Sequence, residues 1–222
     1  MKYRYLDIVT AAFAVILILS NIAASKIISI AGVSFAGGLI IFPLAYIFGD
    51  ILTEVYGYAR ARRVIWIGFT MNLLMVATFW LVGTLPAAPQ WGLQSAYGSI
   101  LGVVPRIVLG SLAAYLVGEF LNSFILAKLK VKTNGKHLWS RALASTLVGQ
   151  FFDTSIFLLV SFAGVLPTAL IWSIWKTSYV FKILIEVVLL PATYAVVGWL
   201  KKKEGVDHFD RGTDFNPLRV RE

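Results

Sequence analysis

Long apolar stretches dominate this sequence and leave little room for anything except membrane-spanning helices. Six of them lie at about 7–29, 34–55, 64–85, 103–127, 142–165 and 170–199. Each is near or above the ~20 apolar residues that a helix needs to cross a bilayer. With 59% apolar and 14% charged residues, the 222-residue chain cannot cover a water-facing globule. We therefore predict an all-α polytopic membrane protein, with a six-helix domain at 1–200 and a solvated cytoplasmic tail at 201–222.

The positive charges indicate which ends of the spans lie together. All but four of the 20 Lys and Arg residues fall within 2–4, 60–63, 128–141 and 201–221, and six spans put these four groups on one side of the membrane. By the positive-inside rule that side is the cytoplasm, so both termini are predicted there, in a protein of the cell inner membrane. The net charge of +9 therefore reflects topology, and no nucleic-acid partner is expected.

Several function classes lack the residues they require. The chain has no cysteine, and its two histidines, His137 and His208, lie in polar connecting or tail segments. No metal site or cofactor is therefore predicted. Walker and common hydrolase motifs are also missing from the sequence, so neither ATP hydrolysis nor another enzymatic activity is expected. A membrane enzyme and a structural assembly protein stay as alternatives, although a scaffold has no need of buried carboxylates.

Ionisable residues inside the predicted spans are the strongest indication of function. A charge in the bilayer core costs about 2.5–3.5 kcal/mol even on lenient scales, so these groups should face the bundle interior or an aqueous cavity. The candidates with buried charge are Asp50, Glu54, Glu119, Asp153, Lys182 and Glu186.

Each candidate can have a structural role instead of a functional one. Lys182 and Glu186 are spaced i, i+4 and can neutralise each other as an ion pair. Asp50 and Glu54 lie near the inner end of span two, next to the Arg group at 60–63, and are predicted to fix the inner loop or act in a gate. Asp153 has no cation nearby in sequence, so we predict that it is the ligand-facing acceptor.

Spans four and five contain similar segments. LVGEFLNS at 116–123 matches LVGQFFDT at 147–154 at four of eight positions. The shared glycine allows close helix approach. The polar pairs that follow, Glu119 with Asn122 and Gln150 with Asp153, each share one helical face. Chance and an ancient repeat remain equally open as the origin of this likeness.

Span six begins with aromatic residues at helical spacing. Trp172, Trp175 and Tyr179 can belong to an interfacial belt. Trp175 and Tyr179 can instead offer a stacking surface for a flat heterocycle, with buried carboxylates supplying hydrogen-bond specificity.

Four segments resemble a known transporter family. FPLAYIFGDILTEVYGYARARRVIW (42–66), STLVGQFFDTSIF (145–157), YVFKILIEVVLLPATY (179–194) and TDFNP (213–217) are similar to segments of the YhhQ-type queuosine precursor transporters, the vitamin uptake transporter family. The resemblance covers about residues 10–217. It implies a six-helix fold related to the substrate-binding component of energy-coupling-factor transporters, and uptake of 7-cyano- or 7-aminomethyl-7-deazaguanine.

The resemblance also implies that no ATPase partner is needed. The alternative within transport is the substrate-binding subunit of an ATP-driven transporter for another vitamin or base. A deazaguanine has a donor edge that suits Asp153 or Glu186, a carbonyl that suits Gln150 or Asn122, and a flat face for Trp175 or Tyr179. We further expect Lys182 to keep Glu186 ionised in the empty site.

The sequence leaves the coupling mechanism open. Glu119 can couple uptake to protons, but facilitated diffusion followed by trapping in the cell fits equally well. It also leaves open which of the two deazaguanines is carried. A homo-oligomer is compatible with the sequence, which does not indicate an oligomeric state.

Overall fold

Seven α-helices make up most of the part of the chain that the structure describes. The computed structural model describes residues 3–30, 33–102 and 105–219. The helices are α1 Leu6–Ala23, α2 Phe42–Tyr56, α3 Tyr58–Thr84, α4 Gln94–Leu101, α5 Pro105–Lys132, α6 Leu138–Phe162 and α7 Thr168–Glu204. Within those residues, six helical segments are long and apolar enough to cross a membrane. This confirms the predicted all-α polytopic architecture. Lys2, Arg221 and the side chain of Arg106 lie outside the described residues.

Three helices extend beyond the apolar spans at the end of the bundle that carries the basic groups, called the basic end below. Helix α3 begins at Tyr58, α5 runs to Lys132 and α7 runs to Glu204. The extensions contain mainly Lys, Arg, Leu and Glu, which favour helix and tolerate water. The length of the apolar stretch alone therefore underestimates the length of these three helices.

The connection between α1 and α2 corrects the predicted ends of the first two spans. Helix α1 ends at Ala23, and an antiparallel hairpin follows, formed by β1 Ile27–Ile30 and β2 Val33–Ala36. Isoleucine and valine at these positions favour extended backbone. A 3₁₀ turn at Gly37–Ile40 then leads into α2. A Cβ on Gly38 would lie 2.2 Å from the carbonyl oxygen of Ser20, so only glycine allows this close approach to α1.

The segment 86–102, predicted as an external loop or half-buried cap, contains the short helix α4. Gln94 Nε2 donates a hydrogen bond to the Gly83 carbonyl (3.0 Å), and the Tyr97 hydroxyl donates one to the Phe79 carbonyl (3.4 Å). These contacts hold α4 against the end of α3.

Helices α5 and α6 approach each other closely where the two similar segments meet. A Cβ on Gly149 would lie 3.0 Å from the Asn122 Cβ, and one on Gly118 would lie 2.8 Å from the Asp153 Cβ. The predicted role of these glycines in close packing is confirmed. The approach brings the polar faces of the two segments together in the centre of the bundle.

Most described residues of the tail are exposed, but a few of them dock on the basic end, which the prediction of a solvated tail did not include. Asp210 is buried and accepts hydrogen bonds from the Tyr58 backbone N–H at 3.1 and 3.0 Å. Arg62 donates to the Asp214 and Asn216 carbonyl groups. The Phe215 ring lies 4.9 Å from that of Tyr58. The tail thus supplies an acceptor for the free backbone N–H of α3 and an aromatic ring that packs against Tyr58.

Candidate functional site

A cavity of about 1400 Å³ lies between the helices in the half of the bundle opposite the basic end. Its walls come from α1, α3, α5, α6 and α7, and from the start of α2. Asn21 and Asn72 line one side, where Asn21 Nδ2 donates to Asn72 Oδ1 at 2.6 Å. Asp153 and Lys182 line the deeper part. The volume exceeds the 300–1,000 Å³ typical of small-molecule pockets.

An ion pair between α6 and α7 forms the floor of this cavity. Lys182 Nζ lies 2.6 Å from Asp153 Oδ2, and the two side chains are 11% and 6% exposed. The Phe42 ring lies beneath the ammonium group, 4.6 Å from Nζ to the ring centroid. The expected Lys182–Glu186 pair is wrong, because the long lysine side chain reaches across to α6. Charge, hydrogen-bond capacity and an aromatic face therefore meet at one accessible place.

Three further carboxyl groups lie in the centre of the bundle and form what we call the central cluster: Asp50, Glu119 and Glu186. Each is at most 1% exposed. Glu119 and Glu186 lie at the midpoints of α5 and α7. Asp50 interacts electrostatically with both of them. The prediction that grouped Asp50 with Glu54 at the inner loop is wrong, because one turn of α2 separates the two side chains into different surroundings.

The central cluster contains more acceptors than donors. Asn122 Nδ2 donates to Asp50 Oδ1 at 2.7 Å. Both oxygens of Glu119, the second oxygen of Asp50 and one oxygen of Glu186 have no hydrogen-bond partner among the described residues. The amide oxygens of Asn122 and Gln150 are likewise unpartnered there. Buried acceptors without donors are costly, so these oxygen atoms favour protonation or the approach of a donor.

Glu54 lies in a different environment, the basic-end network, in which acidic and basic side chains are paired. Arg141 Nη1 lies 2.5 Å from Glu54 Oε2, and Lys201 Nζ lies 2.7 Å from Glu54 Oε1. Lys130 contacts Glu54 at 3.6 Å and Asp207 at 2.5 Å. Burial raises the pKa of Asp207, but hydrogen bonds from Lys130 and Lys201 outweigh this and hold that pKa below its usual value. The network ties α2, α5, α6, α7 and the tail together.

The structure does not bring Trp175 or Tyr179 to the cavity. Their rings stack on each other at 4.9 Å and pack beside Phe151. Trp175 Nε1 donates to Ser155 Oγ, and the Tyr179 hydroxyl donates to the Leu147 carbonyl. Both residues therefore join α7 to α6 outside the cavity.

Sequence reasoning missed several polar and aromatic residues around the site. Phe42 and the Asn21–Asn72 pair line the cavity. The Tyr46 hydroxyl is buried beside the central cluster without a partner among the described residues. Asn21 and Asn72 are amides inside apolar spans, which was a usable signal. Their residue type alone did not single out Phe42 and Tyr46, because aromatic residues are common throughout the chain.

Comparison with known proteins identifies the family. Residues 36–196 match the family described as "Putative vitamin uptake transporter". The chain belongs to this vitamin uptake transporter family. A protein of Bacillus subtilis (strain 168) named "Probable queuosine precursor transporter" is 32% identical over 180 residues, covering 79% of this chain and 77% of the relative.

Two further relatives carry similar names. The "Queuosine precursor transporter" of Escherichia coli (strain K12) is 25% identical over 200 residues, covering 88% of this chain and 87% of its own. A "Probable queuosine precursor transporter" of Haemophilus influenzae is 24% identical over 163 residues, covering 72% and 67%. These names are those of transporters, which confirms the prediction of a transporter that is not an enzyme. No solved structure matches significantly, so the likeness to energy-coupling-factor components stays a prediction.

Proposed function

We propose that this member of the vitamin uptake transporter family imports queuosine precursors, the 7-cyano- or 7-aminomethyl-7-deazaguanine bases, across the inner membrane. The observation that carries the proposal is the cavity with the Asp153–Lys182 pair at its floor, in a chain whose relatives are named for this substrate. Transport proceeds without an ATPase partner.

The cavity floor matches the hydrogen-bonding edge of a deazaguanine. Such a base presents a ring N–H and an amino group beside a carbonyl oxygen. The Asp153 carboxylate accepts the two donors side by side, and the Lys182 ammonium group donates to the carbonyl. The Phe42 ring, already against Lys182, supplies the stacking face in place of Trp175 or Tyr179. Glu186, Asn122 and Gln150 form a second layer beneath Asp153, Lys182 and Phe42.

The distribution of charge gives the orientation. With the basic end in the cytoplasm, both termini lie inside and the cavity opens away from the cytoplasm. The basic-end network then closes the cytoplasmic side, and Glu54 acts as the anion of a gate that must open for release. Because the chain has no cysteine, single cysteines introduced at Asp7 and Pro86 can be labelled without background. An impermeant reagent should label the cysteine at Pro86 from outside intact cells, and the opposite pattern would invert this topology.

Uptake in cells tests the proposal directly. The host should lack its own synthesis of the precursors and its own transporter, so that queuosine in its tRNA reports import. Expression of this chain should restore queuosine when the base is supplied. Asp153→Asn should not restore it at equal protein level, whereas the exposed control Asp7→Asn should. Failure of the wild-type chain to restore queuosine would remove the proposed substrate, and success of Asp153→Asn would remove Asp153 from the site.

A further inference from the structure

The central cluster has the composition of a proton site, and it is separate from the cavity that would hold the base. Among the described residues none of its three carboxyl groups forms an ion pair, and Glu119 accepts no hydrogen bond. The nearby cation Lys182 is already bound to Asp153. An ionised carboxylate without a counter-charge in a dry interior is so costly that the group neutralises instead.

The surroundings of Glu119 show what kind of ligand neutralises it. The Glu119 carboxylate packs against α2, where a Cβ on Gly49 would lie 2.7 Å from Glu119 Oε2. The titratable groups facing it are Tyr46 and Asp50 on α2, Tyr115 on its own helix, Asp153 on α6 and Glu186 on α7. In the described part of the chain no group of three or more His or acidic residues is arranged to hold a metal ion.

Unpartnered neutral acceptors beside the carboxyl groups are a second, independent observation. Asn122 Oδ1 and Gln150 Oε1 are buried with no donor among the described residues. The Tyr46 hydroxyl, 1% exposed, is unpartnered in the same sense and interacts electrostatically with Glu119, Asp50 and Asp153. A protonated carboxyl group supplies the O–H donor that the two amide oxygens lack, and its other oxygen can accept from the Tyr46 hydroxyl.

We propose that Glu119, together with Asp50 and Glu186, binds the proton that enters with each imported base, so that this protein is a proton symporter. The proposal rests on the proposed function and adds its energy source. A proton reaching the cluster through the cavity converts the Glu119 carboxylate into a carboxylic acid, and the acid returns that proton on the other side once the basic end opens.

Electrostatics links the proton to the base. Ionised Glu119 repels ionised Asp153, with which it interacts directly. Protonation of Glu119 removes this repulsion, and the Asp153 carboxylate then accepts the N–H donors of the base at a lower electrostatic cost. Proton binding and base binding therefore strengthen each other, and this linkage is reciprocal.

Purified protein in sealed liposomes, with labelled 7-cyano-7-deazaguanine as the probe, provides the test. One proton per base across a one-unit inward pH gradient supports about tenfold accumulation. We expect accumulation of that order, its collapse with a protonophore, and acidification of a dye inside the liposomes when base is added. A sodium gradient should have no effect.

Variants and exchange assays test the proposed proton coupling separately from the proposed substrate. Glu119→Gln should lose the response to the pH gradient while base-for-base exchange at equal pH continues, and Asp7→Asn should respond like the wild type. Exchange by the wild type without any pH response, or accumulation driven by sodium, would overturn the symport proposal and leave the proposed substrate intact. Accumulation by Glu119→Gln at the wild-type level would remove Glu119 from the proton site. Absence of exchange by the wild type would refute the proposed function itself.

Discussion

Two polar clusters in this bundle each contain a fully buried glutamate, and they differ in their balance of charge. In the basic-end network, Glu54 and Asp207 are shared among three cations, Arg141, Lys130 and Lys201. In the central cluster, three carboxyl groups have no ion-pair partner among the described residues. Glu54 and Glu119 are both at most 1% exposed, so burial alone does not distinguish them.

The difference separates groups that hold the helices together, and so keep the basic end closed, from groups that can bind a substrate or a proton. Glu54 on α2 has charged partners on three other helices, so it joins four helices and needs no ligand to explain its burial. A buried carboxyl group without partners lowers stability unless it binds something, and a membrane protein keeps such a group for a substrate or a proton. The same residue type therefore has opposite expected roles in the two clusters.

Glu54→Gln should produce the largest effect on stability. It removes the shared anion and leaves Arg141, Lys201 and Lys130 crowded together. Breaking a buried pair in this way costs about 3–5 kcal/mol. The free energy of unfolding in detergent micelles, measured by denaturant titration, should fall by that amount. A value within about 0.5 kcal/mol of the wild type would show that the network does not hold the fold.

Substitutions of the aromatic residues should sharpen the comparison at the cavity. Loss of one stacking face costs about 1–3 kcal/mol of base binding. Phe42→Leu, at the cavity floor, should weaken binding of 7-cyano-7-deazaguanine by this amount in a titration. Trp175→Leu, which lies outside the cavity, should leave the affinity nearly unchanged. Weaker binding by Trp175→Leu together with unchanged binding by Phe42→Leu would assign the stacking role to Trp175 on α7.

Glu119→Gln should have the smallest effect on stability and is the matched control for Glu54→Gln. Glutamine keeps the shape, removes an uncompensated acid and brings two N–H donors to a region rich in acceptors. The free energy of unfolding should change by less than about 0.5 kcal/mol or increase. A loss as large as that of Glu54→Gln would mean that the central cluster is also a structural network.

Hydropathy and charge predicted the architecture because bilayer thickness limits helix length directly. The same reasoning failed at the hairpin of β1 and β2, where apolar residues continue but Ile and Val favour extended backbone. It also did not predict where the tail docks, since the contacts of Asp210 and Phe215 depend on surfaces that form only after α3 and α5 assemble.

The candidate site was predictable as a set of residues but not as a set of partners. Asp153, Glu119 and Glu186 stand out because charge is rare in apolar spans. Sequence proximity suggested pairing Lys182 with Glu186, whereas packing brings Lys182 to Asp153 on another helix. Neighbours along the helix α2 were likewise divided, with Glu54 in the paired network and Asp50 in the unpaired cluster. Which side chains meet between two helices depends on how each helix is rotated about its own axis, and sequence periodicity does not determine that rotation.

Binding of 7-cyano-7-deazaguanine to purified Asp153→Asn tests the central claim most directly. The ligand should raise the melting temperature of the wild-type protein in a saturable way, and it should leave that of Asp153→Asn unchanged. Combining Asp153→Asn with Lys182→Met avoids an unpaired lysine and should give the same loss, while Asp7→Asn should bind normally. An equal, saturable shift for wild type and Asp153→Asn would show that the base binds elsewhere and would contradict this account.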